Sequence, residues 1–165
     1  MNAEVYVKLR KLKQKYGSHE FGRICQALLE LTFRKLGFST RGRAVERPDI
    51  TCERGEERYA IEVKTVQGSR VRFTERDVGG VQEFQSTGKI IPCFAVLAIE
   101  PHSEWLIANG LSLKPQDYDR IALRAREITK LSEEVNSAFP LILEDYFDLA
   151  MNRGSEGLRS RLATT

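Results

Sequence analysis

Apolar positions along the chain change period several times, and each change marks an element. Val5, Leu9 and Leu12 share one stripe among lysines and arginines, which predicts a short basic helix over residues 2–16 ending near Tyr16-Gly17. Ser18 is a good N-cap for a second helix, in which Phe21, Ile24, Cys25, Leu28, Leu31 and Thr32 recur at helical spacing to about Leu36, where Gly37 supplies a stop. Phe38 to Val45 reads as a strand leading through an arginine-rich stretch, Arg41, Arg43 and Arg47. After Pro48 the pattern switches to strict alternation, Asp49 to Glu53, then a turn at Arg54-Gly55-Glu56-Glu57, then alternation again from Tyr59 to Val66. Residues 49–66 are therefore predicted to form a β-hairpin with Gly55 at its tip.

Further along, Gln67 to Thr74 reads as a polar loop, and Val78, Val81 and Phe84 suggest a helix over about 75–87, weakened by Gly79-Gly80. Ile90 to Ile99 is a nearly continuous apolar run bounded by Gly88 and Pro101, as expected of a strand buried on both faces. Trp105 to Ala108 predicts a final strand. Residues 115–151 read as helical, with Pro140 opening a second helix or kinking one, and the tail from Gly154 reads as frayed. The expected fold is α/β (α+β): a central mixed sheet of about five strands flanked by helices, in one domain over 1–153 with a flexible tail at 154–165.

The hairpin carries the chemistry. With Gly55-Glu56 as a two-residue turn, Ile50 faces Ile61, Cys52 faces Tyr59 and Asp49 faces Glu62. Ile50, Cys52, Tyr59 and Ile61 then lie on one apolar face, and Asp49, Thr51, Ala60, Glu62 and Lys64 on the other. Two carboxylates directly opposite each other repel unless a cation lies between them. Hard oxygen ligands, with no cysteine or histidine pair beside them, favour Mg2+, with Mn2+ able to substitute. Such an ion could activate water for phosphodiester hydrolysis, and Lys64, on the same face as Glu62, could orient that water or stabilise the developing charge. A Glu-x-Lys on an alternating strand is also what a solvated polar face looks like; the facing carboxylate is what distinguishes this one. Glu20 offers a third acid, at the N-terminal end of the buried stripe of its helix, a position that the helix dipole favours on its own account.

Composition bounds these readings. The 165 residues suffice for one core without disulfides, and no apolar run approaches a membrane span, so an intracellular, cytoplasmic protein is expected. Cys25, Cys52 and Cys93 are scattered among apolar neighbours and read as reduced core residues. Net charge is +3, but residues 1–47 hold 11 Lys/Arg against 4 Asp/Glu, and the remainder 15 against 19. A basic segment of this kind is the footprint of phosphate binding, and equally of a solvated helix face.

Pro48-Asp49 followed by Glu62-Val63-Lys64, after a helix bearing Glu20, resembles the PD-(D/E)XK, or restriction-endonuclease-like, nucleases. Within that superfamily the order is similar to the archaeal Holliday-junction resolvases, which share the early-helix glutamate, a Gly-Phe leading into the first strand (Gly37-Phe38), and a glutamine-bearing helix before an apolar strand. The resemblance covers about residues 18–108, leaving the basic N-terminal helix and the helical extension at 115–151 as additions. It implies a Mg2+-dependent endodeoxyribonuclease in which Asp49, Glu62 and the carbonyl of Val63 bind metal, Lys64 assists the water and Glu20 contacts metal or water. It also implies that Gln82, or less fittingly Gln85, supports the site.

DNA is the expected partner and a homodimer the expected assembly, with Lys11, Lys15, Arg41, Arg43, Arg47, Arg70 and Arg72 as candidate phosphate contacts. Alternatives are a site-specific nuclease of restriction or homing type, and a catalytically silent module that binds nucleic acid. His19 and His102 are single histidines read as structural or exposed, although His19 adjoins Glu20.

Overall fold

The computed structural model describes residues 3–42, 48–83, 89–102 and 104–164. The first helix, α1 (Ala3–Lys35), is two helices in line, broken at Gly17 (φ 79°, ψ 171°), so the predicted basic helix and its successor meet where expected. At the far end Gly37 adopts φ 94°, its N–H donating to Arg34 and that of Phe38 to Phe33. This is a Schellman stop, sealed by edge-on packing of Phe33 against Phe38 at 5.3 Å.

Three antiparallel strands follow, β1 (Ser39–Gly42), β2 (Ile50–Arg54) and β3 (Glu57–Val66). The expected hairpin register is the observed one: Ile50 pairs with Ile61, Cys52 with Tyr59 and Arg54 with Glu57, about Gly55 at φ 60°. The chain then adds β4 (Arg70–Phe73), α2 (Glu75–Gln82), β5 (Ile91–Ala98), β6 (Trp105–Asn109), β7 (Gln116–Asp119), α3 (Arg120–Leu123) and α4 (Thr129–Ala163). The main sheet is mixed, in the order β1-β2-β3-β5-β6, with β3 and β5 parallel.

One face of this sheet packs Ile50, Cys52, Tyr59, Ile61, Cys93, Ala95 and Leu97 against α1 and α4 in the main core. On the other face, among the described residues, Phe94, Val96 and Leu106 of β5 and β6 meet Val71, Phe73, Val78, Val81, Leu113 and Leu123 in a second cluster. Phe73 stacks on Phe94 at 4.0 Å. The outer strand β6 leaves no bare edge on the side of α4. Asn136 accepts from the Trp105 N–H and donates to its carbonyl, Ser132 accepts from the Ile107 N–H, and Ile128 donates to the Ile107 carbonyl.

Several expectations are corrected. The polar loop at 67–74 contains β4, which pairs with β7 from the segment expected to be helical, as a separate two-stranded ribbon. Only Val71, Phe73 and Tyr118 of that ribbon are apolar, too few for a periodic signal. The helix expected over 75–87 is described to Gln82, its remainder lying outside the described residues. Pro140 sits inside α4 without ending it, and the break comes instead at Gly154 (φ 62°, ψ −152°). Residues 154–163 are not a frayed tail: they are helical, with Leu158 and Leu162 in the main core. Gly154 is small where it meets Tyr16 and Glu20 of α1, and Gly157 where it meets Leu149 and Arg153 of α4 itself. No helix among the described residues is long and apolar enough to cross a membrane.

At that crossing the breaks in α1 and α4 satisfy each other. The Met151 carbonyl, released by the break, accepts from Lys15 Nζ and, at 2.6 Å, from Tyr16 Oη. The Ser155 N–H and hydroxyl, at the start of the last helical segment, donate to Glu20 at 2.9 and 2.7 Å. A Cβ at Gly154 would lie 2.6 Å from Glu20 Oε2. Gly154→Ala is accordingly expected to destabilise the protein by at least about 1–3 kcal/mol from backbone strain, and Glu20→Ala by about 1–2 kcal/mol from the lost cap. Denaturant unfolding checks both, and stability unchanged by Gly154→Ala would contradict the crossing.

A second buried acid holds the last helical segment to the sheet. Glu30 is 1% exposed, 3.4 Å from Arg159, and its Oε1 has no hydrogen-bond partner among the described residues. Gly42 lies against the pair so closely that a Cβ would collide with both. Burial raises the Glu30 pKa, and the opposing pull of Arg159 and Arg34 does not cancel it. A carboxyl whose folded pKa is raised contributes stability below its unfolded pKa, lost as pH rises through the folded value. The stability of the unaltered protein relative to Glu30→Gln should therefore fall as pH is raised through and above the ordinary glutamate range. Unfolding free energies across that interval test this, and a pH-independent difference would count against it.

Candidate functional site

The hairpin brings the predicted acids together. One step beyond the Ile50–Ile61 pair the register sets Asp49 opposite Glu62, on the sheet face away from α1 and α4. Here β2 has ended, since Pro48 cannot donate to a ladder, and the Asp49 side chain takes over: its Oδ2 accepts from the Val63 N–H at 2.9 Å. Its backbone carbonyl accepts from Gln26 Nε2 at 3.2 Å, which ties this bend to α1. Glu62, the next acid across, pairs on its other side with Phe94 of β5 and is fully buried, whereas Asp49 is half-buried. The pair thus straddles the line where the second layer stops covering the sheet.

Lys64 lies on the same face, two residues beyond Glu62, and its Nζ is 2.7 Å from Asp77 Oδ2. Asp77 belongs to the first turn of α2, where it forms a capping box with Thr74. Burial alone would raise the Asp77 pKa, but the bonds from Lys64 and Thr74 outweigh it and hold the carboxyl below its ordinary range. Sequence reading missed this residue, although Thr74-Glu75-Arg76-Asp77 has the spacing of a capping box.

On the uncovered part of this face, Ser39, Arg41, Thr51, Glu53, Arg58 and Ile90 are among the residues lining an open groove of about 340 Å³. The cross-strand pairs Arg41–Thr51 and Thr51–Ala60 form the row adjacent to Asp49–Glu62, so the groove starts beside the acids. Arg58 and Thr51 were not among the expected contacts; only the register reveals them.

The other predicted residues are placed elsewhere. Glu20 does not join Asp49 and Glu62: both its oxygens accept from Ser155, and among the described residues no three His, Cys, Asp or Glu side chains converge as a metal cluster. Gln82 donates to the carbonyls of Gly110 and Leu113, at 3.3 and 2.9 Å, and so braces the turn after β6. Arg70 and Arg72 stand opposite Asp119 and Asp117 on the β4–β7 ribbon, a charge-balanced surface. Lys15 is taken by the Met151 carbonyl, while Lys11 and His19 are exposed. Arg43, Arg47 and Gln85 lie outside the described residues. Cys25, Cys52 and Cys93 are free and buried, and desolvation raises their thiol pKa values, so they are core residues.

The donors at the acid pair, two carboxylates with the adjoining Val63 carbonyl, are all hard oxygens. They fit a cation such as Mg2+, which dehydrates reluctantly and keeps several waters when held by one or two carboxylates. They do not fit the nitrogen and sulfur preference of zinc.

No family model matches the sequence, and no curated protein does. Among solved structures the chain is similar to Archaeoglobus fulgidus Hjc, a Holliday junction resolvase from an archaeal hyperthermophile, with a TM-score of 0.53 and 21% sequence identity. The match covers 64% of this chain and 89% of that one, so nearly all of the smaller protein's fold is contained here, with further chain added to it. At that identity the likeness speaks to architecture: this chain has the fold of an archaeal Holliday junction resolvase, a mixed five-stranded sheet with flanking helices.

Proposed function

We propose that this chain is a divalent-metal-dependent endonuclease that hydrolyses DNA phosphodiester bonds, with four-way junctions as its preferred substrate and a homodimer as its working form. The observation that carries the reading is the meeting of Asp49 and Glu62, with Lys64 beside them, at the edge of an open groove on a resolvase-like fold. Asp49, Glu62 and the Val63 carbonyl would hold Mg2+ or Mn2+. When bound, such an ion polarises a phosphoryl oxygen and lowers the pKa of a water.

The protein's own groups supply the remainder. Asp49 is steadied through Oδ2 by the Val63 N–H, and through its backbone by Gln26, so the carboxylate keeps one direction without an induced movement. Phe94 and the second layer keep water from the Glu62 side, which strengthens electrostatic interactions at the acids. Lys64 offers ammonium protons where negative charge grows on the attacked phosphate. Arg41, with the hydroxyls of Ser39 and Thr51, and Arg58, which pairs with Glu53 at 3.5 Å, line a bed for the nucleic-acid strand that runs away from the cleaved bond.

Asp49→Asn and Glu62→Gln should each reduce Mg2+-dependent cleavage by about 10²–10³-fold or more while leaving DNA binding in a gel-shift assay intact. Undiminished cleavage by either variant would remove the acids from the site. In the same buffer, a four-way junction should be cut in preference to a linear duplex of matching sequence. Equal cutting, or cutting of the linear duplex alone, would rule out junction selectivity and favour a site-specific nuclease.

A further inference from the structure

Asp77 is a buried acid to which the reaction above gives no task. As the third residue of α2 it closes the capping box: its N–H donates to Thr74 Oγ1 at 3.2 Å, and its Oδ2 accepts from the Thr74 N–H at 2.9 Å. A capping box ordinarily uses Glu or Gln at this position, and it requires neither burial nor a cation. Asp77 has both, with a side chain 1% exposed and Lys64 Nζ at 2.7 Å. The cap and the ion pair share Oδ2, so the start of α2 fixes the point to which the lysine is drawn.

Lys64 would otherwise be poorly defined. Its ammonium rides on a flexible four-carbon stem, and its side chain is 25% exposed, so packing alone does not select one rotamer. One of its three N–H donors is taken by Asp77, and two remain for the site. We propose that Asp77 is the positioning residue for Lys64, anchoring its ammonium at one point beside Glu62 so that a remaining proton meets the attacked phosphate. This assignment rests on the nuclease reading and deepens it: the helix α2 becomes part of the active-site scaffold, and Thr74 sets the helix in place without touching the lysine.

The test is cleavage of a four-way junction in Mg2+ by the full chain, with kcat and KM separated. Asp77→Asn should lower kcat by about 10²-fold, the scale for a catalytic group displaced by about 1 Å, with KM for DNA unchanged. Thr74→Ala, which removes the hydroxyl that accepts from the Asp77 N–H but keeps both the backbone N–H that holds Asp77 Oδ2 and the ion pair, should keep kcat near that of the unaltered protein. The double variant Lys64→Ala/Asp77→Asn should cleave no more slowly than Lys64→Ala alone, because the second change acts only through the first residue.

Unaltered kcat in folded Asp77→Asn, an equal loss in Thr74→Ala, or additive losses in the double variant would each overturn the proposal. If Asp77→Asn does not fold, Asp77→Glu decides. It retains the acid that capping boxes prefer but moves the carboxylate by a methylene, so kcat should fall at constant KM, and an unchanged kcat would sink the assignment. Absence of cleavage by the unaltered chain under any divalent metal would overturn the nuclease reading and this assignment together. Cleavage that needs Asp49 and Glu62 but is indifferent to Asp77 would overturn this assignment alone.

Discussion

The register of the β2–β3 hairpin is the constraint on which the candidate site depends, and residues that never touch the site enforce it. Ile50 and Ile61 are fully buried against α1 and α4, and Cys52 and Tyr59 nearly so. A slip of one residue would turn these four to the opposite face and press Asp49, Glu62 and Lys64 into the main core. Each large apolar side chain expelled would forfeit about 1.5–3 kcal/mol of burial, and the carboxylates entering the core would cost more still. The turn adds its own preference through Gly55, whose positive φ suits the first position of a two-residue hairpin. Opposition of the two acids is thus an indirect product of apolar packing on the far side of the sheet.

What the site becomes depends equally on where the second layer ends. Among the described residues, Phe94, Val96 and Leu106 are roofed by β4, β7 and α2, while Arg41, Thr51 and Arg58 line the open groove. The boundary falls between Glu62 and Asp49. One acid therefore sits in a medium of low polarity that amplifies its interactions, and the other meets solvent and whatever arrives along the groove. The roof also brings in Asp77, so the layer that packs on Phe94 beside Glu62 also holds Lys64.

The hairpin was legible in the sequence because alternation from Asp49 to Glu53 and again from Tyr59 to Val66, about a turn at Gly55, admits few registers. The two in-line helices of α1 and the stop at Gly37 were legible for a similar reason: caps and glycines announce themselves locally. What escaped depended on contacts distant in sequence. The β4–β7 ribbon joins two four-residue strands more than forty positions apart, neither with enough apolar residues to signal alone. Gly154, Ser155 and Gly157 have loop chemistry by composition; Gly154 and Ser155 are instead pressed against Tyr16 and Glu20 of α1, and Gly157 against Leu149 and Arg153 of α4 itself. Within the site, Asp49, Glu62 and Lys64 could be grouped because they share one hairpin. Asp77 and Gln26 could not, since their roles arise from how α2 and α1 pack.

Glu20 shows what packing adds to a residue with two physical readings. An acid early in a helix can serve a metal or a helix end, and the sequence supports both. The break at Gly154 strips the Ser155 amide and the Met151 carbonyl of their helical partners, and α1 supplies both replacements from Lys15, Tyr16 and Glu20. The same contact changes the standing of the helices added to the resolvase-like core. Val5, Leu9 and Leu12 from one end of the chain and Leu158 and Leu162 from the other lie in the same apolar cluster as the hairpin. These helices are therefore built into the core that sets the register, leaving their outer surfaces, where Arg10 and Lys11 are exposed, for any other contact.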